Sequence, residues 1–221
     1  MYKGIIFDLD GTLLDTLQGI AFAMNKVLAE HYDKPPFDVS MYRQWIGAGS
    51  RNLCSQIGIQ RNIADIEQLL TEYTAVYEVA MLQHSPPFHG IPDLLEWLQD
   101  HSVPIAIQTN KQHDLAIALV AKMFPDIRFI DVVGLSAKYP KKPAPNAAIA
   151  VAKTMALEPS ECLFVGDTTI DIKTAIAAQM TSVGVTWGYN DSNQLKEQNP
   201  TFIIDYPEQL IAFNALEVSK R

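Results

Sequence analysis

Short apolar runs alternate with longer segments of helical periodicity along most of this chain. Apolar runs bounded by turn-forming residues indicate buried strands, and apolar positions three or four residues apart indicate the buried face of a helix. Strands interleaved with helices are typical of a parallel sheet with helices on both faces. The pattern therefore predicts an α/β fold with a doubly wound parallel sheet. The predicted strands are residues 3–9, 103–108, 129–133, 162–165 and 181–185, and the clearest helices between them are 114–123, 146–155 and 171–178.

Residues 16–84 depart from this alternation, because they carry helical patterns and no convincing strand. Apolar residues recur at helical spacing from Ile63 to Ala80, which predicts one long amphipathic helix whose aromatic residues pack in a core. Pro86 and Pro87 then enforce an extended return of the chain. We therefore predict an all-helical cap, residues 16–87, inserted into an α/β core formed by residues 1–15 and 88–221.

Composition and charge exclude several classes of protein. Of the 221 residues, 48% are hydrophobic and 19% are charged, which is ordinary for a globular protein, and the formal net charge of −8 argues against nucleic acid as a partner. Cys54 and Cys162 lack CxxC or CxxH neighbours and predict reduced core thiols. Two early carboxylates argue against a signal peptide, and no apolar stretch approaches the ~18 residues of a membrane span. We expect a soluble cytoplasmic protein with no membrane partner, and the sequence indicates no oligomeric state.

Polar side chains stand where each predicted strand ends, which in parallel sheets is where ligands bind. Asp8 and Asp10 close the first strand, and alternating residues of a strand share a face. Two carboxylates ~4 Å apart repel by roughly 4 kcal/mol at an effective dielectric constant of about 20, so a cation, a shared proton or solvent must offset them. Gly11 allows a tight turn and lets backbone N–H groups approach an anion. Taken alone, this motif fits a calcium loop or a polar turn as well as a catalytic site.

The next three strand ends add further polar groups. Thr109 and Asn110 can hydrogen-bond phosphoryl oxygens, or they can cap the following helix. Pro143 favours an extended Lys142, which could aim inward or remain a surface lysine. Asp167 and Asp171 could both be helix-capping or dipole-complementing residues, but capping explains one carboxylate better than two. Together the four strand ends predict oxygen ligands for a hard cation, with a lysine and a hydroxyl beside them for a phosphoryl group.

The order of these motifs resembles the haloacid dehalogenase superfamily of phosphohydrolases. Its four motifs match residues 8–12, Thr109, Lys142 and residues 166–171, and its helical cap lies between the first and second motifs. The resemblance covers essentially the whole chain and implies a Rossmann-like core.

Within that superfamily, residues 45–49 and 183–189 most resemble the phosphoglycolate phosphatase branch. Gln179-Met180 and His89 depart from that branch, where a small residue with glycine and a proline are usual.

The resemblance implies a magnesium-dependent phosphatase that acts on a small phosphorylated metabolite. Asp8 would be the nucleophile that becomes an aspartyl-phosphate, and Asp10 the general acid and base. Thr109 and Lys142 would hold the transferring oxygens. The expected Mg²⁺ ligands are Asp8, the Asp10 backbone carbonyl and Asp167, with Asp171 mainly behind them, and the other expected substrate-binding residues are Gly11, Thr12 and Asn110.

Substrate choice is less constrained by the sequence. Residues 47–51 predict a flexible loop that ends in a Ser50 N-cap before a helix at 51–57, and Arg51 could contact a substrate carboxylate or be a solvated surface residue. A pyrophosphatase or a sugar phosphomutase could use the same core. A haloacid dehalogenase normally lacks the second acidic residue, so Asp10 argues against it, and a non-catalytic scaffold would be expected to lose a motif.

Overall fold

The apolar runs of the chain form one parallel sheet in the computed structural model, which describes residues 2–218. The sheet has six strands in the order β3-β2-β1-β4-β5-β6. The predicted α/β class is therefore confirmed, although the sixth strand was not predicted. The strands are β1 Gly4–Phe7, β2 Ile105–Gln112, β3 Val132–Leu135, β4 Cys162–Gly166, β5 Thr181–Val185 and β6 Phe202–Ile204.

Strand β1 lies at the centre of the sheet. Ile5 pairs in parallel with Ile105 of β2 on one side and with Leu163 of β4 on the other, and all three side chains are buried. The chain moves outward from β1 in opposite directions, through β2 and β3 on one side and β4 to β6 on the other. Such a reversal of strand order opens a crevice at the carboxyl ends of the strands. The crevice lies where β1, β2 and β4 end.

Helices connect the strands and cover the sheet. None of those described in residues 2–218 is long and apolar enough to cross a membrane. Two short 3-10 helices occupy Val39–Gln44 and Pro159–Glu161. The α-helices are α1 Leu17–Tyr32, α2 Ser50–Arg61, α3 Ile66–Ala80, α4 Ile91–Asp100, α5 His113–Met123, α6 Asn146–Thr154, α7 Thr169–Ala177, α8 Ser192–Lys196 and α9 Gln209–Val218.

Helices α1 to α3 form the inserted helical region between β1 and β2. The buried residues of α3 include Leu69, Tyr73 and Tyr77, which lie on one face at helical spacing. The helix begins at Ile66 and not near Ile63 as predicted. The carboxylate of Asp65 accepts the Gln68 N–H at 2.9 Å and caps the helix there.

The two chain segments that lead into and out of this region run side by side. The Asp15 N–H donates to the Pro86 carbonyl at 2.9 Å, and the Phe88 N–H donates to the Leu13 carbonyl at 3.1 Å. The predicted boundaries, residues 16–87 for the cap and 1–15 with 88–221 for the core, are consistent with these paired links and remain a proposal.

Candidate active site

Three buried carboxylates meet at the end of the central strands. Asp8 follows β1, Asp167 follows β4, and Asp171 lies in the first turn of α7. One carboxylate oxygen from each lies within 4.8 Å of the other two. Each of these side chains is at least 97% shielded from solvent, since none exceeds 3% exposure. Carboxylates this close repel strongly when they are ionised in a site without water.

Lys142 lies between two of these carboxylates. Its Nζ is 2.7 Å from Asp8 Oδ1 and 2.7 Å from Asp171 Oδ1, and the residue is 1% exposed. Lys142 is therefore not the surface residue that the sequence left open as an alternative. Although burial opposes its charge, the Asp171 and Asp8 carboxylates raise the pKa of Lys142 above its ordinary value.

Asn110 fixes the backbone that carries this lysine. Its Oδ1 accepts the Lys142 N–H at 2.8 Å, and its Nδ2 donates to the carbonyl oxygens of Lys142 at 3.2 Å and Gly47 at 3.0 Å. Asn110 and Thr109 both lie within β2, and the residue that caps α5 is Gln112. The capping alternative for Thr109 and Asn110 is therefore wrong.

Asp167 and Asp171 have different hydrogen-bond partners. Asp167 accepts the Thr12 hydroxyl at 2.9 Å and the Tyr189 N–H at 2.8 Å. Asp171 accepts the N–H and the hydroxyl of Thr168, at 2.9 and 2.6 Å, and so completes a capping box at the start of α7. Capping thus accounts for Asp171, which also pairs with Lys142, and leaves Asp167 to be explained by the acidic cluster.

Two glycines make room for the Asp167 carboxylate. Gly11 has a φ of +88°, and a Cβ there would lie 2.3 Å from Asp167 Oδ2. A Cβ at Gly188 would lie 2.2 Å from the Asp167 Cβ and 2.4 Å from the Gly11 carbonyl oxygen. Both positions require the absence of a side chain. The sequence indicated Gly11 but gave Gly188 no role of its own.

Asp10 lies outside the three-carboxylate cluster, where Lys111 holds it. The Lys111 Nζ donates to Asp10 Oδ1 at 2.7 Å and to the Tyr77 hydroxyl of α3 at 2.8 Å. Lys111 was missed in the sequence because strand β2 was predicted to end at Gln108. Since β2 continues to Gln112, Thr109 and Lys111 alternate with Asn110, which would have placed them on one face of the strand.

Burial dominates the electrostatics of the cluster. It raises the pKa of Asp8 to about 7, with Lys142 opposing the shift and Asp171 and Asp10 adding to it. Burial also raises the pKa of Asp167 well above its usual range, reinforced by Asp171 and Asp8. Deprotonating these groups without a further positive charge is therefore unfavourable.

The cluster fits a hard divalent cation. Asp8 Oδ1 is buried and, among residues 2–218, accepts no hydrogen bond of ordinary geometry, although the Lys142 ammonium is near. An oxygen left free in this way, with carboxylates of Asp167 and Asp171 close by, is the donor set that Mg²⁺ and similar cations prefer. The predicted acidic metal site is consistent with this geometry, which does not by itself define the metal.

A pocket leads from Asp8 and Thr109 to the helical insertion. Its insertion side includes Gly47, Ser50 and Tyr77. The loop at 47–49 therefore faces the strand ends, as expected.

Arg51 is not among the described residues that line this pocket. Its side chain is 65% exposed, and its guanidinium pairs with Glu67, with Nη2 2.7 Å from Oε2. Helix α2 begins at Ser50 itself, with Gly49 as its N-cap, so the predicted Ser50 cap is wrong by one residue. The contact between Arg51 and a substrate stays a prediction.

A doubly wound parallel α/β core, a helical insertion after the first strand and an acidic cluster with a buried lysine at the strand ends together define the class of this protein. The model of the haloacid dehalogenase-like hydrolase family matches residues 5–185, and the chain belongs to that family.

Sequence relatives agree with the predicted resemblance, which is confirmed. The chain is 30% identical over 217 residues to phosphoglycolate phosphatase 1 of Pseudomonas aeruginosa, which covers 94% of this chain and 78% of the relative. It is 32% identical over 219 residues to a phosphoglycolate phosphatase of Pseudomonas syringae pv. syringae, with 95% and 78% covered. A haloacid dehalogenase-like family hydrolase from Streptococcus pneumoniae superposes with a TM-score of 0.86 at 25% identity, covering 96% of this chain and 98% of that one.

Proposed function

We propose that this chain is a Mg²⁺-dependent phosphatase that hydrolyses a small phosphorylated metabolite, such as 2-phosphoglycolate, through an aspartyl-phosphate on Asp8. The observation that carries the proposal is the buried Asp8 carboxylate, which has a free oxygen beside the Lys142 ammonium and two further carboxylates. The names of the relatives, which are about 30% identical, support the same reaction and substrate class.

In the first step, an oxygen of Asp8 attacks phosphorus, and the bond between phosphorus and the ester oxygen breaks. Asp10 donates a proton to the departing oxygen, which leaves as an alcohol. In the second step, water attacks the phosphorus of the aspartyl-phosphate and gives its proton to Asp10, so that phosphate leaves and both carboxyl groups return to their starting states. The contact of Asp10 with Lys111 favours one orientation of its carboxylate.

Lys142 and Thr109 would hold the phosphoryl oxygens, where negative charge builds up during transfer. Asp8, Asp167 and the Asp10 backbone carbonyl would hold Mg²⁺, with Asp171 mainly behind them. When bound, the ion neutralises charge on the phosphoryl oxygens. This charge is needed because the four aspartates outnumber the two buried lysines, Lys111 and Lys142, and would otherwise repel a phosphate.

The cap proposed for residues 16–87 would cover the phosphoryl group and exclude bulk water during the first step. Gly11, Thr12 and Asn110 would support the substrate from the core side. For Thr12 and Asn110 that support would be indirect, since they hydrogen-bond Asp167 and the Lys142 backbone.

The nucleophile can be tested by replacing Asp8 with Asn, which keeps the shape and removes the attacking charge. Hydrolysis of para-nitrophenyl phosphate with Mg²⁺ should fall to near background, and acid quenching with a ³²P-labelled substrate should leave label on the wild type alone. D126N, at an exposed aspartate, is the matched control and should retain activity. Retention of more than a few per cent of activity by D8N would remove Asp8 from this role.

The substrate class needs a separate measurement. A side-by-side panel should include 2-phosphoglycolate, pyrophosphate and a hexose phosphate, all with Mg²⁺. We expect the highest kcat/KM for the small carboxylated ester. A preference for pyrophosphate, or transfer of the phosphoryl group to a sugar hydroxyl, would assign the same core to a pyrophosphatase or a mutase instead.

A further inference from the structure

We propose that Lys111, with Tyr77 opposite it, binds a second anionic group of the substrate, so that the preferred substrate carries a carboxylate one or two carbon atoms from the phosphate ester. This inference rests on the proposed phosphatase function and deepens it. It assigns substrate selection to a core lysine inside the pocket.

Lys111 is a buried cation placed where the core meets the helical insertion. Its side chain is 3% exposed, and it lies on β2 of the core, whereas Tyr77 belongs to α3 of the insertion. An ammonium group has three N–H donors, and among the residues the structure describes only Asp10 and Tyr77 accept hydrogen bonds from it. A third donor therefore remains for a ligand.

The position of Lys111 relative to the reaction centre fits a substrate carboxylate. In the proposed mechanism Asp10 contacts the ester oxygen, and Lys111 lies one hydrogen bond beyond Asp10. A group attached close to the ester oxygen on the leaving side therefore comes within reach of the ammonium. Lys142 cannot serve this group, because it is already held between Asp8 and Asp171 on the phosphoryl side.

The rest of the pocket favours a short and simple leaving group. Among the described lining residues, Lys111 is the only cation, and Ile20, Ile46, Leu53 and Tyr73 provide apolar or aromatic walls. The free volume is about 40 Å³, and a buried water needs roughly 10–15 Å³ of such space. A two- or three-carbon acid suits these walls better than a hexose, whose several hydroxyls would need partners.

The N-terminus of α2 adds to the positive potential of this pocket. Ser50, the first residue of the helix, lines the pocket, and the N-cap is Gly49, which has no side chain to occupy the free backbone donors. This helix end supports the assignment of Lys111 and would not carry it alone.

Lys111 and Arg51 each have a competing role that the test must separate from carboxylate binding by Lys111. Lys111 could act only by orienting Asp10, which would affect every phosphate ester equally. Arg51 could recognise the carboxylate instead, although its guanidinium is exposed and paired with Glu67. Substrates that differ only in the charge of the second group distinguish these possibilities.

The experiment compares 2-phosphoglycolate with its neutral amide, 2-phosphoglycolamide, for wild type, K111M, K111Q, R51A and K141M. Lys141 is the matched control, because it is an exposed lysine that does not line this pocket in the described structure. We expect the wild type to favour the acid in kcat/KM by roughly ten- to hundredfold, the range expected for a hydrogen bond to a charged group. K111M and K111Q should lose most of that preference, whereas R51A and K141M should keep it.

Several results would overturn the assignment. Equal losses for acid and amide in K111M and K111Q would make Lys111 a positioning residue for Asp10. No preference in the wild type, or a preference removed by R51A, would also refute it while leaving the phosphatase reaction intact. A Lys111-dependent preference for pyrophosphate over 2-phosphoglycolate would overturn the choice of a carboxylate.

Binding keeps the inference testable if the proposed reaction itself fails. Calorimetry with Mg²⁺ on D8N should show tighter binding of the acid than of the amide, and D8N/K111Q should show no difference. That result would support the anionic subsite even for a protein that hydrolyses neither compound. Equal binding of acid and amide by D8N would refute it. Circular dichroism identifies any variant that fails to fold, and K111Q retains a donor toward Asp10 in case K111M is unstable.

Discussion

Replacing Asp8 with Asn should stabilise the metal-free protein at neutral and alkaline pH, because the folded chain buries this carboxylate beside other carboxylates. Asp8 is 3% exposed, and its Oδ1 accepts no hydrogen bond of ordinary geometry among the described residues. The cost of keeping it ionised is offset only in part by Lys142. Asn keeps the shape of the side chain and removes the charge.

The magnitude follows from the pKa of Asp8, which burial raises from 3.8 to about 7. Between these values the unfolded chain has released the proton while the folded protein still holds it, so rising pH favours unfolding. Stability that is fully present below about pH 4 is therefore lost as the pH rises through about 7. About three pH units at roughly 1.4 kcal/mol each correspond to a loss of up to about 4 kcal/mol.

Urea unfolding in EDTA between pH 5 and pH 8 measures this effect. The free energy of unfolding of D8N should exceed that of the wild type by an amount that grows with pH, and D126N should follow the wild type because Asp126 is exposed. Excess Mg²⁺ should narrow the gap by stabilising the wild type more than D8N. A gap that is independent of pH, or a D8N variant less stable than the wild type at pH 8, would refute the reasoning.

Three further predictions concern the metal, the lysine and the insertion. EDTA should abolish phosphatase activity and Mg²⁺ should restore it, whereas Ca²⁺, with its looser geometry, should not; full activity in EDTA would count against the cation site. K142M should lower kcat roughly 10²–10³-fold, as does loss of a donor to developing charge, and steady-state kinetics at unchanged circular dichroism would show it; near-normal kcat would exclude the role. Hydrogen exchange at the Asp15 and Phe88 amides should slow when Mg²⁺ and tungstate, a phosphate mimic, are added, and unchanged exchange would argue against cap closure.

The fold could be predicted well because its signals are local. The runs at β1, β4 and β5 are apolar over their whole length, so burial on both faces was evident from composition alone. Strand β6, Phe202–Ile204, is only three residues long and lies at the sheet edge, and it could not be distinguished from a loop. Its pairing with β5 supplies hydrogen bonds that no local pattern reveals.

The candidate site was harder to predict because the polar ends of its strands resemble turns. Strand β2 continues through four polar residues, 109–112, whose burial depends on contacts with the helical insertion and not on their own hydropathy. A prediction that stops at the last apolar residue therefore loses Lys111. In the same way Gly188 is 177 residues from Gly11 in sequence, since 188 minus 11 is 177, and only the folded chain reveals that both border Asp167.

Two adjacent residues at the end of β2 connect the chemistry of the core to the position of the insertion. Asn110 joins the Lys142 backbone to the Gly47 carbonyl, and Lys111 joins Asp10 to the Tyr77 hydroxyl. A movement of the insertion away from the core would break the Gly47 and Tyr77 contacts together. It would thereby loosen both the lysine beside the nucleophile and the carboxylate proposed as general acid. In this arrangement the phosphoryl site is fully ordered only when the insertion covers it, so an open pocket can exchange substrate and product without supporting the attack of bulk water.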